Sequence, residues 1–257
     1  MIRIRSVGIV IPAYRPNTEL LCGYIEALIE TINPETIRVE LDDPTAETAR
    51  ALASTDATVS TTERRRGKGA ALTAGFDALT TDIRGFVDAD GATPADAFTQ
   101  LIETVSTDKA DIAVASRRHP DAVIETGQSR VRESLGDGFA WLARRLLDVS
   151  LSDYQCGAKA ITAEGWRTVR NQMDEDGFAW DIELVAFGDA AGLRIKECPI
   201  QWHDRSESTV PPVRTAVTLA TALVRTRYRA RALRRDVERN PAGRTVAAGH
   251  GVERKEE

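Results

Sequence analysis

The chain opens into a short apolar run, Val7-Gly8-Ile9-Val10-Ile11-Pro12. This run decides the fold class, because a nearly continuous apolar stretch is typical of a strand buried on both faces of a parallel sheet. Further strands are predicted at 36–41, 58–60, 83–87 and 112–115, and a helical pattern separates each strand from the next. The alternation predicts an α/β protein with a mostly parallel, doubly wound sheet and right-handed crossovers.

The second half of the chain has a different pattern. Helices are predicted over 129–147 and 180–190, and a strand over 193–198. An arginine-rich helix is predicted from about Pro212 to Arg235. Beyond about residue 240 the sequence is small, polar and charged, which is typical of a disordered tail.

Composition excludes several classes of protein. With 257 residues, 42% of them hydrophobic, the chain is large enough to bury a substantial core. No window of about 18 residues lacks charges, so a transmembrane helix is not expected. The N-terminus runs directly into the first strand without a cleavable signal. Three cysteines lie far apart, which disfavours a disulfide framework or a zinc site, and we expect a reduced, cytoplasmic protein.

Charge is distributed unevenly along the chain. The formal net charge is −5, but residues 208–235 contain seven arginines and no acid, so that this segment carries +7 and the remainder −12. Only 5 of the 34 basic residues are lysines. An acidic surplus with scarce lysine is typical of a salt-adapted source, such as a haloarchaeon, or of a high-GC source.

Carboxylates follow two of the predicted strands. Asp42-Asp43 ends the second strand, and Asp88-Ala89-Asp90 ends the fourth. Ligands of open α/β sheets bind beyond the carboxyl ends of the strands, and Mg²⁺ or Mn²⁺ is commonly held by one or two carboxylates plus substrate phosphates. An isolated pair of this kind is more often a solvated acidic turn, so further evidence is needed for a metal site.

A basic, glycine-rich turn precedes the third helix. Gly67-Lys68-Gly69 opens that helix, where free backbone amides and the charge of Lys68 favour an anion. The turn departs from a Walker A loop, and no G-x-G-x-x-G fingerprint follows a strand. The alternative interpretation is a basic turn that balances neighbouring acids.

Other polar residues have the chemistry to bind phosphate oxygens. These candidates are Arg117, Arg118, Arg130, Ser134, Arg205 and Ser208. Each is, taken alone, more typical of a solvated surface. The three histidines show no spacing for nucleophilic catalysis or metal binding, and the chain has no G-x-S-x-G elbow for a Ser-His-Asp triad.

Taken in order, these motifs resemble the family-2 glycosyltransferases, which have the GT-A fold. The similarity is greatest to the branch that transfers a sugar from a nucleotide donor to a polyprenyl (dolichyl) phosphate, and it extends from residue 7 to about 210. The matching stretches are Val10–Tyr14, Leu41–Asp43, Gly67–Gly75, Asp88–Gly91, Ala115–Arg117, Asp153–Lys159 and Gly177–Leu184. The resemblance implies a GT-A domain over 1–210. Charge and composition predict a basic amphipathic helical segment over 211–239 and a disordered tail over 240–257.

The resemblance also implies a role for each candidate. Asp88 and Asp90 would hold a divalent cation, Mg²⁺ or Mn²⁺, on the donor diphosphate. The expected donor-site residues are Pro12, Tyr14, Asp43, Lys68 and Ala89, and the expected phosphate-gripping residues are Arg117, Arg130, Ser134 and Arg205. Asp153 either acts directly on the acceptor or only shapes its loop. If the acceptor were a hydroxyl, Asp153 or Asp181 would be the candidate general base.

Three departures from the family pattern leave the donor open. Pro44-Thr45 replaces the usual Gly-Ser, and Arg15-Pro16-Asn17 replaces the usual Asn-Glu beside the base. Ala92 stands where some relatives place a Gln as a third metal ligand. The donor is therefore expected to be a UDP- or GDP-hexose, without a choice between them.

The implied reaction is an inverting transfer that needs little general base, because a lipid phosphate is already an anionic nucleophile at neutral pH. Its product would feed protein or lipid glycosylation. Two alternatives stay open: a soluble family-2 enzyme that acts on a hydroxyl acceptor, and a non-catalytic protein that binds nucleotide sugars.

The C-terminal helix carries an apolar stripe of Val217, Ala220, Val224 and Tyr228, which arginines largely avoid. Such a helix either lies on an anionic bilayer or packs on the domain with solvated arginines. The expected lipid substrate favours a peripheral location on the cytosolic face of a membrane. Nucleic acid is not an expected partner, because aromatic interleaving is missing and the acidic body would repel phosphate.

Overall fold

The computed structural model describes residues 5–124, 130–202 and 212–239. Its first half alternates strand and helix: β1 (Val7–Tyr14), α1 (Thr18–Ile32), β2 (Thr36–Asp42), α2 (Ala46–Leu52), β3 (Thr58–Thr62), α3 (Lys68–Ala78), β4 (Ile83–Val87), α4 (Ala95–Ser106) and β5 (Ile112–Ser116). Its second half contains β6 (Val123–Ile124), α5 (Arg130–Leu146), β7 (Ala158–Thr162), α6 (Ala163–Val169), α7 (Trp180–Ala190), β8 (Ile195–Pro199), β9 (Gln201–Trp202) and α8 (Pro212–Arg239).

Seven strands form one sheet in the order β3-β2-β1-β4-β7-β5-β8. Strand β1 pairs in parallel with β2 on one side and β4 on the other, and β5 pairs in parallel with β8. The mostly parallel sheet, flanked by helices, confirms the predicted fold class.

Strand β7 is not predicted by the sequence pattern. It enters between β4 and β5 and pairs antiparallel with both. Its five residues are interrupted by Lys159, which is wholly buried here although lysine in a sequence usually marks a solvated position. The short length and the charged second residue explain why the apolar pattern is too weak to detect.

The core lies in two layers, one on each face of the sheet. Ile9 and Ile11 enter the layer beneath α1 and α4, whereas Val10 enters the layer that α3 and α7 cover. Successive side chains of a strand point to opposite faces, so a continuous apolar run fills both layers. Phe76 packs edge-to-face on Trp166 and Trp180 in the second layer. This packing fixes α3 and α7 side by side.

Helix α8 packs on α5 and α7. Its inward side carries Leu219, Leu223 and Thr226, all buried, whereas Val224 and Tyr228 are exposed. The helix therefore packs on the domain and also presents part of the predicted apolar stripe to solvent. Of that stripe, Ala220 is half-buried, and the side chain of Val217 lies outside the described residues. None of the described helices contains a stretch long and apolar enough to cross a bilayer.

Candidate active site

The carboxyl ends of β1, β2 and β4 meet at one edge of the sheet. The parallel register of β1 sets Tyr14 beside Asp42 at the end of β2, and Asp88 follows the last residue of β4. The structure thus brings the predicted donor-site residues to the edge where open α/β sheets bind ligands.

Four charged side chains form a compact cluster around Asp88. The Lys68 Nζ lies 2.9 Å from Asp88 Oδ1 and 3.1 Å from Asp181 Oδ2. Asp181 Oδ1 accepts a second charged hydrogen bond from Lys159 Nζ at 2.5 Å. Lys159 also donates to the Cys156 carbonyl. We call Lys68, Asp88, Lys159 and Asp181 the lysine–aspartate cluster.

The surroundings of the lysine–aspartate cluster fix its charges. Although desolvation opposes ionisation at Asp181, the two lysines outweigh it and lower the pKa of this carboxyl. Desolvation likewise opposes the charge of Lys68, but the two aspartates hold its pKa above the ordinary value. Asp88 behaves differently. Burial, helped by the neighbouring Asp90 and Asp181, raises its pKa, although Lys68 opposes the shift. Asp88 is thus the member whose charge is least compensated.

The Asp88-Ala89-Asp90 turn is shaped by its neighbours. The Asp88 amide donates to the Gly157 carbonyl at 2.9 Å, and Asp90 Oδ1 accepts from the Ala92 amide at 3.0 Å. A Cβ on Gly157 would lie 2.1 Å from Asp88 Oδ2, so this carboxylate leaves no room for a side chain there. Ala89 packs its methyl group against the core, which leaves its backbone for ligand contact.

The donor chemistry of this turn suits a divalent cation. Asp90 is exposed and the Asp88 side chain is 37% exposed, so two carboxylates face solvent at the ligand-binding edge. Among the described residues, no group of three or more His, Cys, Asp or Glu side chains is placed to hold a metal. Mg²⁺ or Mn²⁺ held here would complete its shell with phosphate oxygens and water, as these cations commonly do.

The two aspartates that end β2 have different roles. Asp42 is buried and accepts from the Arg66 amide at 2.7 Å, from Arg66 Nε at 2.8 Å and from the Gly67 amide at 3.1 Å. Asp42 therefore positions the loop. Asp43 has a positive φ of 48° and a partly exposed carboxylate that pairs with Arg15 at 3.2 Å. Asp43 is the member of the pair that a nucleoside can reach.

Tyr14 forms an aromatic platform at the mouth of the site. The Arg65 guanidinium lies over its ring at 4.3 Å from the centroid, and that of Arg15 at 5.2 Å. Sequence reasoning named Tyr14 but missed Arg65, because nothing in an Arg-Arg-Arg run distinguishes the stacked residue from its neighbours. Pro12 lies two residues earlier on β1 and is half-buried.

Three amides at the start of α3, those of Gly67, Gly69 and Ala70, already have acceptors within the protein, contrary to the expectation for Gly67-Lys68-Gly69. The Gly69 and Ala70 amides both donate to the Asp176 carbonyl, at 2.9 and 3.2 Å, and the Gly67 amide donates to Asp42. Gly67 has a φ of 105° and approaches Asp176 too closely for a Cβ. The glycines thus serve loop packing, and Lys68 is the group of this turn with charge to offer a phosphate.

Arg117 and Asp153 form a buried ion pair. Arg117 Nε and Nη2 donate to the two Asp153 oxygens at 2.7 and 3.1 Å. Although desolvation opposes ionisation, the Arg117 charge lowers the pKa of Asp153 to about 2. The Trp202 ring lies beneath the guanidinium, and Glu197 accepts a hydrogen bond from the Asp153 amide. Asp153 is therefore a fixed anion that orients Arg117.

Comparison with known proteins identifies the architecture. A model of glycosyl transferase family 2 matches residues 9–165, which is more than half of the chain. The chain belongs to this family.

Curated relatives of this family-2 glycosyltransferase include proteins named for dolichyl phosphate. The chain is 29% identical over 232 residues to glycosyltransferase AglD of Haloferax volcanii, covering 86% of this chain and 37% of that protein. It is 29% identical over 174 residues to dolichyl-phosphate beta-glucosyltransferase of Saccharomyces cerevisiae, covering 63% of this chain and 52% of that protein. The chain thus spans about a third to a half of the length of these relatives.

Solved structures share the fold of this family-2 glycosyltransferase. Mannosyl-3-phosphoglycerate synthase from Rubrobacter xylanophilus superposes with a TM-score of 0.66 at 18% identity, over 98% of this chain and 77% of that one. Glucosyl-3-phosphoglycerate synthase from Mycobacterium tuberculosis, solved with Mn²⁺, UDP and glucosyl-3-phosphoglycerate, superposes with a TM-score of 0.64 at 19% identity. The superposition covers 86% of this chain and 80% of that one.

Four predicted residues of the glycosyltransferase are not located by the structure. Arg205 and Ser208 lie outside the described residues, and so do the side chains of Arg130 and Ser134, whose backbone belongs to α5. Lys159 is a site residue to which sequence reasoning assigns no role. The sequence could have indicated Lys159 through its position in the matching stretch Asp153–Lys159. Its pairing with Asp181 could not be predicted in this way, because the two residues are 22 positions apart in the chain.

Proposed function

We propose that this family-2 glycosyltransferase moves a hexose from a nucleotide sugar to a polyprenyl phosphate, in a metal-dependent and inverting reaction. The observation that carries the choice of acceptor is the state of Asp153 and Asp181. Both are buried in ion pairs, and both have a lowered pKa. Neither is suited to take a proton from a hydroxyl, whereas a phosphate acceptor brings no proton to remove.

On the donor side, Asp43, Pro12 and the Tyr14–Arg65 stack would seat the nucleoside. Asp88 and Asp90 would hold the divalent cation, which when bound neutralises charge on the leaving diphosphate. Lys68, whose ammonium lies 2.9 Å from Asp88, would supply the second positive charge to the diphosphate. UDP-hexose and GDP-hexose remain equal candidates, because these contacts do not discriminate between the bases.

On the acceptor side, Arg117 would receive the lipid phosphate. Asp153 binds Nε and Nη2 of this guanidinium, and among the described residues Nη1 has no hydrogen-bond partner. Arg130, Ser134 and Arg205 are proposed to add further phosphate contacts. An acceptor oxygen forms the bond to the anomeric carbon in line with the breaking bond to the diphosphate, so the configuration inverts and no proton moves.

The acceptor lipid also gives the exposed part of α8 a role. Val224 and Tyr228 face outward, and Arg225, Arg231 and Arg235 are exposed on the same helix. Arginine heads with exposed apolar side chains suit an anionic membrane surface. We place the enzyme peripherally on the cytosolic face, with 1–210 as the catalytic domain and 211–239 as the basic helix. The tail predicted over 240–257 lies outside the described residues. The dolichyl-phosphate beta-glucosyltransferases among the relatives support the choice of a lipid phosphate acceptor.

A transfer assay tests the proposal. The full chain is incubated with labelled UDP- or GDP-hexose and polyprenyl phosphate, with and without EDTA. Label that enters the organic phase and disappears with EDTA is expected. Water-soluble product would indicate a hydroxyl acceptor, and donor binding without transfer would indicate a non-catalytic protein; either outcome contradicts the proposal.

The metal ligands are tested with Asp90→Ala. This variant is expected to lose transfer by at least about a hundredfold, because one of two protein ligands to the cation is removed. Asp96→Ala, an exposed carboxylate on α4, is the matched control and is expected to keep full activity. Full activity of Asp90→Ala would contradict the metal assignment.

A further inference from the structure

Both carboxylate oxygens of Asp88 have a close neighbour in the protein, although the side chain is partly exposed. Lys68 Nζ occupies Oδ1 at 2.9 Å, and Oδ2 packs against Gly157, where even a Cβ would come within 2.1 Å. A cation that binds Asp88 through Oδ1 must therefore compete with Lys68 for that oxygen. This competition rests on the proposed function, which assigns Asp88 to the metal.

We propose that Lys68 couples metal binding to donor binding by exchanging Asp88 for the donor diphosphate. In the free enzyme, its ammonium sits on Asp88 as a substitute cation. When a nucleotide diphosphate enters, Lys68 transfers to a phosphate oxygen and frees Oδ1 for the metal. Metal and nucleotide then share the cost of one rearrangement, so each strengthens the binding of the other.

Lys68 is held at the right place for this exchange. Asp181 anchors its Nζ from the buried side at 3.1 Å, and the Phe86 ring lies beneath it at 5.1 Å from the centroid. Asp181 is in turn held by Lys159, which is wholly buried. When Lys68 leaves Asp88, Asp181 can keep one hydrogen bond to it, so the movement need not strand an unpaired charge.

Charge balance also favours joint binding. The two lysines and the two aspartates of the cluster compensate each other. A divalent cation alone would add positive charge beside Lys68, and a diphosphate alone would add negative charge beside Asp88 and Asp90. The pair together adds little net charge, which is the less costly change in a partly buried site.

The test is isothermal titration of Mn²⁺ into the full chain, without nucleotide and with saturating UDP or GDP. The wild type is expected to bind Mn²⁺ at least about tenfold more tightly with its nucleotide, within the usual range of coupling between sites. Lys68→Met is expected to bind Mn²⁺ alone more tightly than wild type does, and to lose most of the tenfold enhancement. Lys68→Arg keeps the charge and is expected to keep the coupling.

Two controls make the outcome decisive. Lys109→Met removes an exposed charge at the end of α4 and is expected to leave both Mn²⁺ affinities unchanged. If Lys68→Met fails to fold by circular dichroism, Lys68→Gln replaces it. Unchanged coupling in the uncharged variants would overturn the role of Lys68 while leaving the proposed function intact. Mn²⁺ binding that is indifferent to both nucleotide and Asp90→Ala would instead remove the metal assignment on which both rest.

Discussion

At the scale of single residues, this site is organised by charges that are buried and paired. Asp153 is 2% exposed and Asp181 1%, and each is held by basic side chains. Burying such groups costs desolvation energy, and removing one partner leaves the other charge uncompensated. The desolvation of these ion pairs therefore lowers stability, whereas the pairs hold the arginine and lysine side chains in fixed orientations. This combination is typical of side chains whose orientation matters for function.

Asp153→Asn tests the Arg117 pair. We expect the free energy of unfolding at pH 7 to fall by about 3 kcal/mol, because Arg117 is left buried without its anion. Asp137→Asn, which removes a largely exposed partner of Arg118, is the control and should change stability by less than about 1 kcal/mol. Urea denaturation monitored by fluorescence measures both. A loss no larger than that of the control would contradict the buried-pair assignment.

The same pair predicts a pH dependence of stability. Asp153 has a pKa of about 2 in the folded protein, below its unfolded value of about 3.9. Its contribution is therefore complete above about pH 4 and is lost as the pH falls through about 2. The stability difference between wild type and Asp153→Asn should stay constant from pH 7 to about 4 and narrow below it. A difference that narrows already at about pH 6 would assign the effect to another group.

At the scale of elements, the junction of β4 and β7 sets the position of the Asp88-Ala89-Asp90 turn. The two strands pair antiparallel from Ile83 with Thr162 to Val87 with Ala158, and the next backbone bond joins the Asp88 amide to the Gly157 carbonyl. Asp88 therefore takes its position from β7 as well as from its own strand. Helix α3 is fixed similarly, through the Asp176 carbonyl that caps its first amides.

Gly157→Ala tests this junction. The added Cβ would lie 2.1 Å from Asp88 Oδ2 and push the carboxylate out of place. We expect transfer to fall on the order of a hundredfold, since a misplacement of about 1 Å has that effect, together with weaker Mn²⁺ binding in the presence of nucleotide. Gly138→Ala on α5, where a Cβ meets nothing within 4 Å, is the matched control. Wild-type kinetics in Gly157→Ala would show that Asp88 does not depend on this contact.

At the scale of the whole molecule, α8 adds a basic surface to an acidic body. Arg229 and Arg234 are tied to the domain by ion pairs with Glu183 and Asp189. Further arginines of this helix are exposed, as are its outward apolar side chains: Arg225, Arg231, Arg235, Val224 and Tyr228. Some arginines of α8 thus anchor the helix to the domain, and others are exposed to solvent. The exposed side of the helix is the part that contacts a membrane in our proposal.

Val224→Asp/Tyr228→Asp tests that surface. We expect the double variant to bind anionic vesicles at least about tenfold more weakly in flotation assays, because it removes the exposed apolar side chains and adds negative charge. Gln100→Glu/Lys109→Gln makes the same net charge change on α4 and in the turn that follows it, against the opposite face of the sheet, and should bind like wild type. Equal loss in both variants would indicate that net charge alone governs binding, and no loss would remove α8 from the interface.

Local pattern accounts for most of the features that are predictable. The limits of β4 and α7 agree with their predictions, because apolar periodicity and chain-breaking residues mark them locally. The carboxylates at the ends of β2 and β4 are predictable for the same reason. The sequence does not single out Arg65, because its stacking on Tyr14 depends on proximity in the folded protein. It also does not show that amides at the start of α3 are bonded, because their acceptor, the Asp176 carbonyl, lies more than 100 residues away.

The alternation of strands and helices, the family and the order of the acidic turns depend on residues that are close together in the chain. The amino-acid sequence is therefore sufficient to establish them. By contrast, Lys68 and Asp181 pair although they are 113 residues apart in the chain, and only the tertiary structure brings them together. The entry of β7 into the sheet with a buried lysine, and the side of α8 that faces outward, are set in the same way. The physical reason is common to all three. A charge or an apolar stripe acquires its role from what packs against it, and that depends on the order of strands in the sheet.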